Sequence, residues 1–234
     1  MATLKEYALL TKSIFIEENQ LVITDEKTDS KVAVKYIDNQ VLVVYPGTDI
    51  SSVGDILTDL ACVLIRPTWC PTIKIHGGYA SKLESIREKL DLLLLHSTNI
   101  TMIGFSQGAC IAMINSLRYK LMHPTTHISC YAFFPSKAGN SNFARLFDSR
   151  VDVSHRSYFA DDPVYMLPFS FLSYRHTTNV IWVKRNGKNV SHDRPFRRDI
   201  FIFLKCILLF FNIQPNHNPF DDHSIELLAP LLKG

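Results

Sequence analysis

Ile100-Thr101-Met102-Ile103-Gly104-Phe105-Ser106-Gln107-Gly108-Ala109-Cys110 is the stretch on which the fold turns. The apolar run Ile100 to Gly104 reads as a buried strand, and the pattern from Gln107 to about Met122 reads as a helix. Between them Gly104 to Gly108 forms a GxSxG pentapeptide at a strand-to-helix turn, the setting of a nucleophile elbow. The serine of such a turn is strained, and side chains two positions before and after it would collide with the neighbouring strand and helix. That is the physical reason for both glycines. The turn lifts the hydroxyl above the sheet at the helix N-terminus, whose dipole favours a developing oxyanion. The bland alternative is a plain glycine-rich turn. It is the poorer reading because glycine occurs only 9 times in 234 residues, so the pattern seldom arises by chance directly after a strand.

Working outward, Val32 to Ile37 and Val41 to Tyr45 are β-rich runs that flank Asp38-Asn39-Gln40 and predict a hairpin. A helical segment from about Ala80 to His96 precedes the Ile100 strand. Beyond the Gln107 helix follow a strand from His127 to Phe134, a short helix from Asn142 to Asp148, a strand from Val151 to Phe159 and a last strand from Thr177 to Val183. Near-continuous apolar strands alternating with helices predict an α/β fold, a mostly parallel central sheet covered by helices on both faces. No repeat and no low-complexity linker divides the chain, so residues 1–234 are expected to form one domain.

Composition narrows the function classes. Twenty-five Lys and Arg against 22 Asp and Glu give a net charge of +3, well short of the cationic excess of a dedicated nucleic-acid binder, so no nucleic-acid partner is expected. Hydrophobic residues at 47% and charged residues at 20% are ordinary for a globular chain. The first twenty residues interleave Lys5, Glu6 and Lys12 with apolar residues and hold no secretory core. Five cysteines form no CxxC pair and cannot make a complete disulfide framework. Together these features predict a reduced, cytoplasmic location.

A serine nucleophile needs a base and an orienting carboxylate, and on the α/β-hydrolase fold these follow the serine in the order acid, then histidine. Asp161 and Asp162 stand just past the Val151 strand, at the sheet edge where Ser106 also emerges. His176, His192, His217 and His223 follow them.

At this point the residues resemble a family, the class 3 lipases. Val43 to Asp49 (VVYPGTD) is similar to the family's FRGT segment, Asp55 to Leu60 to its DWLTDL, His76 to Tyr79 to VHxGF, and Gly104 to Gly108 to GHSLGG. Phe134 to Ala144 is similar to FGSPRVGNxxFA, Asp162 to Pro168 to NDIVPxLP, and Asp221 to Leu228 to DHSIELY. All occur in the family's order between about residues 30 and 230. The resemblance implies the α/β-hydrolase fold with Asp162, not Asp161, as the acid and His223 as the base, with His192 as the alternative base. It also implies Thr48 as one oxyanion residue, with the backbone N–H of Gln107 as the second donor, and no cofactor. The sequence departs from the pattern at several places: Pro46 stands for Arg, Ile56 for Trp, Phe105 for the His before the serine, Gln107 for the Leu after it, and Phe134 for a glycine.

The reading that follows is a serine carboxylester hydrolase acting on an acylglycerol, a phospholipid or another ester, with a catalytically weak or inactive hydrolase-like scaffold that binds lipid or a protein partner as the alternative. The acidic cluster around His217 to His223 lacks the spacing of a metal site, and none is expected. The basic run Lys184 to Arg198 reads as a solvated face, or as a surface drawn to anionic headgroups. Ile200 to Ile213 is the most apolar stretch. Interrupted by Lys205, it falls short of a membrane span and predicts a helix buried against the sheet, with peripheral contact with a membrane or lipid interface as the second reading. Cys62 to Pro71 reads either as a flap over the site or as a packed connection.

Overall fold

A computed structural model describes residues 3–16, 20–47, 63–210 and 216–232. Among these residues the main sheet has eight strands. They are β1 (Leu21–Asp25), β2 (Ser30–Ile37), β3 (Gln40–Tyr45), β6 (Asn99–Phe105), β7 (His127–Phe133), β9 (Val153–Phe159), β11 (Val180–Val183) and β12 (Asn189–Val190), in that spatial order. From β3 to β11 every neighbouring pair is parallel. The outer pairs, β1 with β2, β2 with β3 and β11 with β12, are antiparallel. The expected hairpin is present and tighter than expected. Ile37 pairs with Gln40, leaving a two-residue turn whose Asp38 takes a positive φ of 48°, a conformation that aspartate tolerates.

The period-2 alternation of the strands divides the interior. Val41, Val43, Tyr45, Ile100 and Met102 point into one core, which is closed by helices α2 (Gly77–Leu94), α3 (Gln107–Met122) and α4 (Ser141–Arg150). Leu42, Val44, Ile103 and Phe133 point into the other, closed by α1 (Leu4–Ser13), α5 (Phe196–Phe210) and α6 (Ile225–Leu228). Helices therefore cover both faces, as the strand composition predicts. The first helix packs on the last: α1 contacts α6 and the turn after it, and Lys12 pairs with Glu226.

A second, small antiparallel sheet has the order β10 (Tyr174–Arg175), β8 (Gly139–Asn140), β5 (Ile75–His76) and β4 (Leu64–Ile65). Strands of two residues carry no periodicity, and the sequence gives no sign of them. β4 ties residues 63–71 to β5, Pro67 is buried and Trp69 packs on the core. The segment is anchored at these points, while Val63 and Ile65 stay exposed and Trp69 is half-buried, so both readings of it stand; Cys62 lies outside the described residues.

The expectation of a buried helix after residue 200 needs correction. α5 begins at Phe196, and its inward side carries Ile202, Cys206 and Asp199, the last held by Arg194. Ile200, Phe201, Leu204 and Leu208 face outward and are exposed. Apart from Lys205, the run from Ile200 is apolar on every side of the helix, so periodicity does not mark which side is buried. None of the described helices is long and apolar enough to cross a membrane.

Candidate active site

β6 ends and α3 begins on either side of Ser106, whose φ of 54° and ψ of −121° lie where few L-residues go. Its backbone N–H donates to the carbonyl of Phe133, 2.9 Å away, which fixes the strained turn to the neighbouring strand. A Cβ on Gly104 would stand 2.3 Å from the carbonyl oxygen of Gly108, and one on Gly108 2.1 Å from that of Pro46. Both glycines of the pentapeptide are thus sterically required.

Beyond β9 the chain turns through Ala160, at a φ of 43°, into Asp161 and Asp162. The two acids separate. Asp161 takes an ion pair from Arg198, whereas Asp162 is fully buried and its Oδ1 accepts from the N–H of Val164 at 3.0 Å. The same Oδ1 lies 3.0 Å from Nδ1 of His223. On the far side of that ring, Nε2 is 2.9 Å from Oγ of Ser106. Oγ, imidazole and carboxylate therefore form one continuous chain, in which Nδ1–H donates to Asp162 and Nε2 accepts from the serine hydroxyl.

The imidazole is held by packing as well. Phe105 lies 5.2 Å from it and Phe134 stands edge-on at 5.1 Å. Phe134 has a φ of 55°, the left-handed region, which explains why the family pattern has glycine there. The segment before His223 is pinned by Asp222, whose buried carboxylate accepts from the N–H of Asp161 and pairs with Arg185; Nε2 of His217 also lies 3.3 Å from its Oδ1. The acidic cluster thus spends its charge on a guanidinium and a backbone donor.

The remaining histidines lie elsewhere. Nε2 of His176 donates to the carbonyl of Tyr165 at 2.7 Å, and burial holds its pKa well below the usual imidazole value. His192 is exposed, bonded through Nδ1 to the carbonyl of Asp193, and it lines a groove with Ser154 and His155, not with Ser106. Gln107 is the first residue of α3. Thr48 and the Asp55 to Leu60 motif lie outside the described residues.

Sequence reasoning missed three anchors. Arg194 is buried, and its guanidinium donates to the carbonyls of Ala160 at 3.2 Å and Asp162 at 3.0 Å. Buried Lys137 donates to the carbonyls of Met166 and Pro168. Asp222 is the third. The basic run is therefore only partly a solvated face: Arg185, Arg194 and Arg198 are all committed to acids. No periodicity marks a cation that binds carbonyls, which is why these residues were invisible. The signals available are the positions of Lys137 within the FGSPRVGN-like segment and of Asp222 within the DHSIELY-like one.

Residues 42–172 match the family Lipase (class 3). The chain belongs to the class 3 lipase family. This agrees with the family expected from the sequence motifs. The secreted mono- and diacylglycerol lipase MDL2 of Malassezia globosa is 30% identical over 89 residues, 38% of this chain and 29% of that protein. The match thus spans less than a third of that relative's length. Among solved structures, the Rhizomucor miehei lipase propeptide complex has a TM-score of 0.76 at 16% identity, covering 98% of this chain and 81% of the other. The mono- and diacylglycerol lipase of Aspergillus oryzae has a TM-score of 0.70 at 18% identity, covering 95% and 96%. At such identities these structures establish the α/β-hydrolase fold.

The cytoplasmic location expected from the sequence is corrected by the Malassezia relative, a secreted protein. The cysteine argument fails for a physical reason. Cys110 and Cys130 are buried thiols that burial pushes up to about 12, and a buried, protonated thiol is inert in any compartment.

Proposed function

We propose that the protein is a lipase that hydrolyses acyl esters of glycerol or of phospholipids on one α/β-hydrolase domain, without a cofactor. The observation that carries this reading is the chain from Ser106 Oγ through His223 to Asp162, at 2.9 and 3.0 Å. His223 takes the hydroxyl proton as Ser106 attacks the ester carbonyl, and Asp162 stabilises the imidazolium that forms. The oxyanion is received by the backbone N–H of Gln107, at the N-terminus of α3, together with Thr48. His223 then passes its proton to the leaving alcohol, and water releases the acyl group from Ser106. Two similar proteins are named mono- and diacylglycerol lipases, which supports acylglycerols as one substrate class.

The substrate is met at a lipid interface. Ile200, Phe201, Leu204 and Leu208 form an exposed apolar strip on α5, and Phe203 stacks edge-on against Phe169 at 5.5 Å, beside exposed Phe171. A strip of this kind gains free energy from contact with acyl chains. The test of the reading is a fluorophosphonate probe combined with an ester panel. Covalent labelling at Ser106 and turnover of acylglycerol or phospholipid are expected, and both are lost in Ser106→Ala. An unlabelled wild-type protein that turns over no ester would overturn it.

A further inference from the structure

Three of the positions at which the sequence departs from the family pattern, Pro46, Phe105 and Gln107, line a single cavity of about 650 Å³. Its volume is that of a small-molecule site. Phe105, whose ring lies 5.2 Å from that of His223, lines it together with Gln107, the first residue of α3, so the cavity adjoins the Ser106 site through these two side chains. Its other wall is cationic: Lys12, Lys31 and Lys82 contribute to it, against Asp29 as the acid among the described lining residues.

The three ammonium groups are not equally occupied. Lys12 pairs with Glu226 of α6. Lys82 donates to the carbonyl of Asp29 at 3.1 Å and lies 3.9 Å from its carboxylate. Lys31 is exposed on β2 and rests over the ring of Phe15, 4.5 Å from its centroid, with no carboxylate partner among the described residues. A cation on an aromatic face keeps its donors available, because the ring attracts charge but accepts no strong hydrogen bond. The cavity thus combines the apolar side chains of Phe15, Pro46, Phe105 and Ile111 with a surplus of lysine charge.

We propose that this cavity binds the phosphate of an acyl ester's headgroup, so that the substrate preferred by the Ser106 site carries a phosphate on its alcohol portion. A phosphate monoester carries a charge of about −1.5 to −2 near neutral pH and offers three acceptor oxygens, which matches a Lys31 ammonium with Lys12 and Lys82 behind it. A neutral glycerol would leave Lys31 without an anionic ligand, since Lys12 and Lys82 already have carboxylates beside them. The inference rests on the hydrolase reading for its placement beside Ser106, but binding and turnover can be measured apart.

The experiment uses the full chain and compares a monoacylglycerol with its phosphate, both below their aggregation limits. For the wild type, kcat/KM is expected to be higher for the phosphate-bearing ester. Lys31→Ala should lower that value about fivefold and Lys31→Glu about tenfold or more, through KM, with the neutral ester within about twofold. Binding of the same two lipids to Ser106→Ala should show the same dependence on Lys31. Equal effects of Lys31→Glu on both esters, or none on either, overturn the proposal while leaving hydrolysis standing. Lys31-dependent binding without turnover in the wild type supports the cavity and refutes the hydrolase reading. Inorganic phosphate is the third arm: if it competes as tightly as the phosphorylated lipid, the cavity is a free-phosphate site and the headgroup proposal fails.

Discussion

The backbone N–H of Asp161 donates to Oδ2 of Asp222 across 3.0 Å, which ties the residue before Asp162 to the residue before His223. Asp162 and His223 arrive on loops 61 residues apart in the chain, and this bond joins those two loops. Asp222→Ala leaves the Asp161 donor unmatched and lets the loops part. We predict a fall in kcat of up to about a hundredfold with little change in KM, the size that a misplacement of about 1 Å produces. Asp222→Asn keeps an acceptor oxygen and should recover most of the loss. If Asn proves as damaging as Ala, the bond is not what holds the register.

His223→Ala should reduce hydrolysis on the order of a millionfold, close to the effect of removing Ser106, because members of a triad fail together. His192→Ala should stay within about twofold of wild type, since its ring is bonded away from the serine. Steady-state rates and fluorophosphonate labelling of both variants check this. The reverse ranking would assign the base to His192.

How far the sequence leads can be judged at these residues. The GxSxG turn locates Ser106 and the α3 boundaries, because strain, glycine and helix onset all leave a local signature. The alternation in β3 and β6 likewise assigns side chains to the two cores. Asp162 is singled out over Asp161 by the family motif, through its spacing to Leu167 and Pro168, whereas the physical difference, that one meets His223 and the other Arg198, is not local. The outward-facing strip of α5 and the carbonyl-binding roles of Arg194 and Lys137 are invisible for the same reason, since each depends on a partner distant in the chain.

Gly108→Ala tests the elbow. Its Cβ would fall 2.1 Å from the carbonyl oxygen of Pro46 and 2.5 Å from that of Tyr45, both backbone atoms that cannot move aside cheaply. We expect a loss of about 3 kcal/mol or more in urea unfolding, at the upper end of overpacking effects. A variant as stable as wild type would show that the turn relaxes freely.

Acid should unfold the protein through its buried imidazoles. His76 is fully buried, its Nδ1 accepts from the N–H of Tyr79, and burial pulls its pKa from the usual 6.5 down to about 4. The folded state then binds fewer protons than the unfolded chain in that window. Its contribution to stability is complete above pH 6.5 and is lost as pH falls toward 4, at up to about 1.4 kcal/mol per pH unit. His76→Phe should flatten the dependence of urea midpoints between pH 4 and 6.5. An unchanged slope would place the acid sensitivity elsewhere.

The α5 strip predicts a separation of binding from chemistry. Leu204→Glu or Phe201→Glu should weaken partition onto lipid vesicles about tenfold, from the loss of one buried apolar side chain. Hydrolysis of a short-chain soluble ester should be unaffected. Vesicle sedimentation and a soluble-ester assay on the same preparations measure both, and equal loss in the two would mean that α5 supports the fold and not the interface.

The packing of α1 on α6 gives the two ends of the chain a common fate. The residues that follow His223 are clasped by the first helix, through Lys12 and Glu226 and through the shared core, while the parallel strands β3 to β9 hold one another independently. Fraying of α1 therefore releases the segment that carries the imidazole before it disturbs the strands. On gentle heating the protein should fall silent as a catalyst while its circular dichroism is still that of an intact sheet, and the amides of α1 and α6 should exchange with deuterium together.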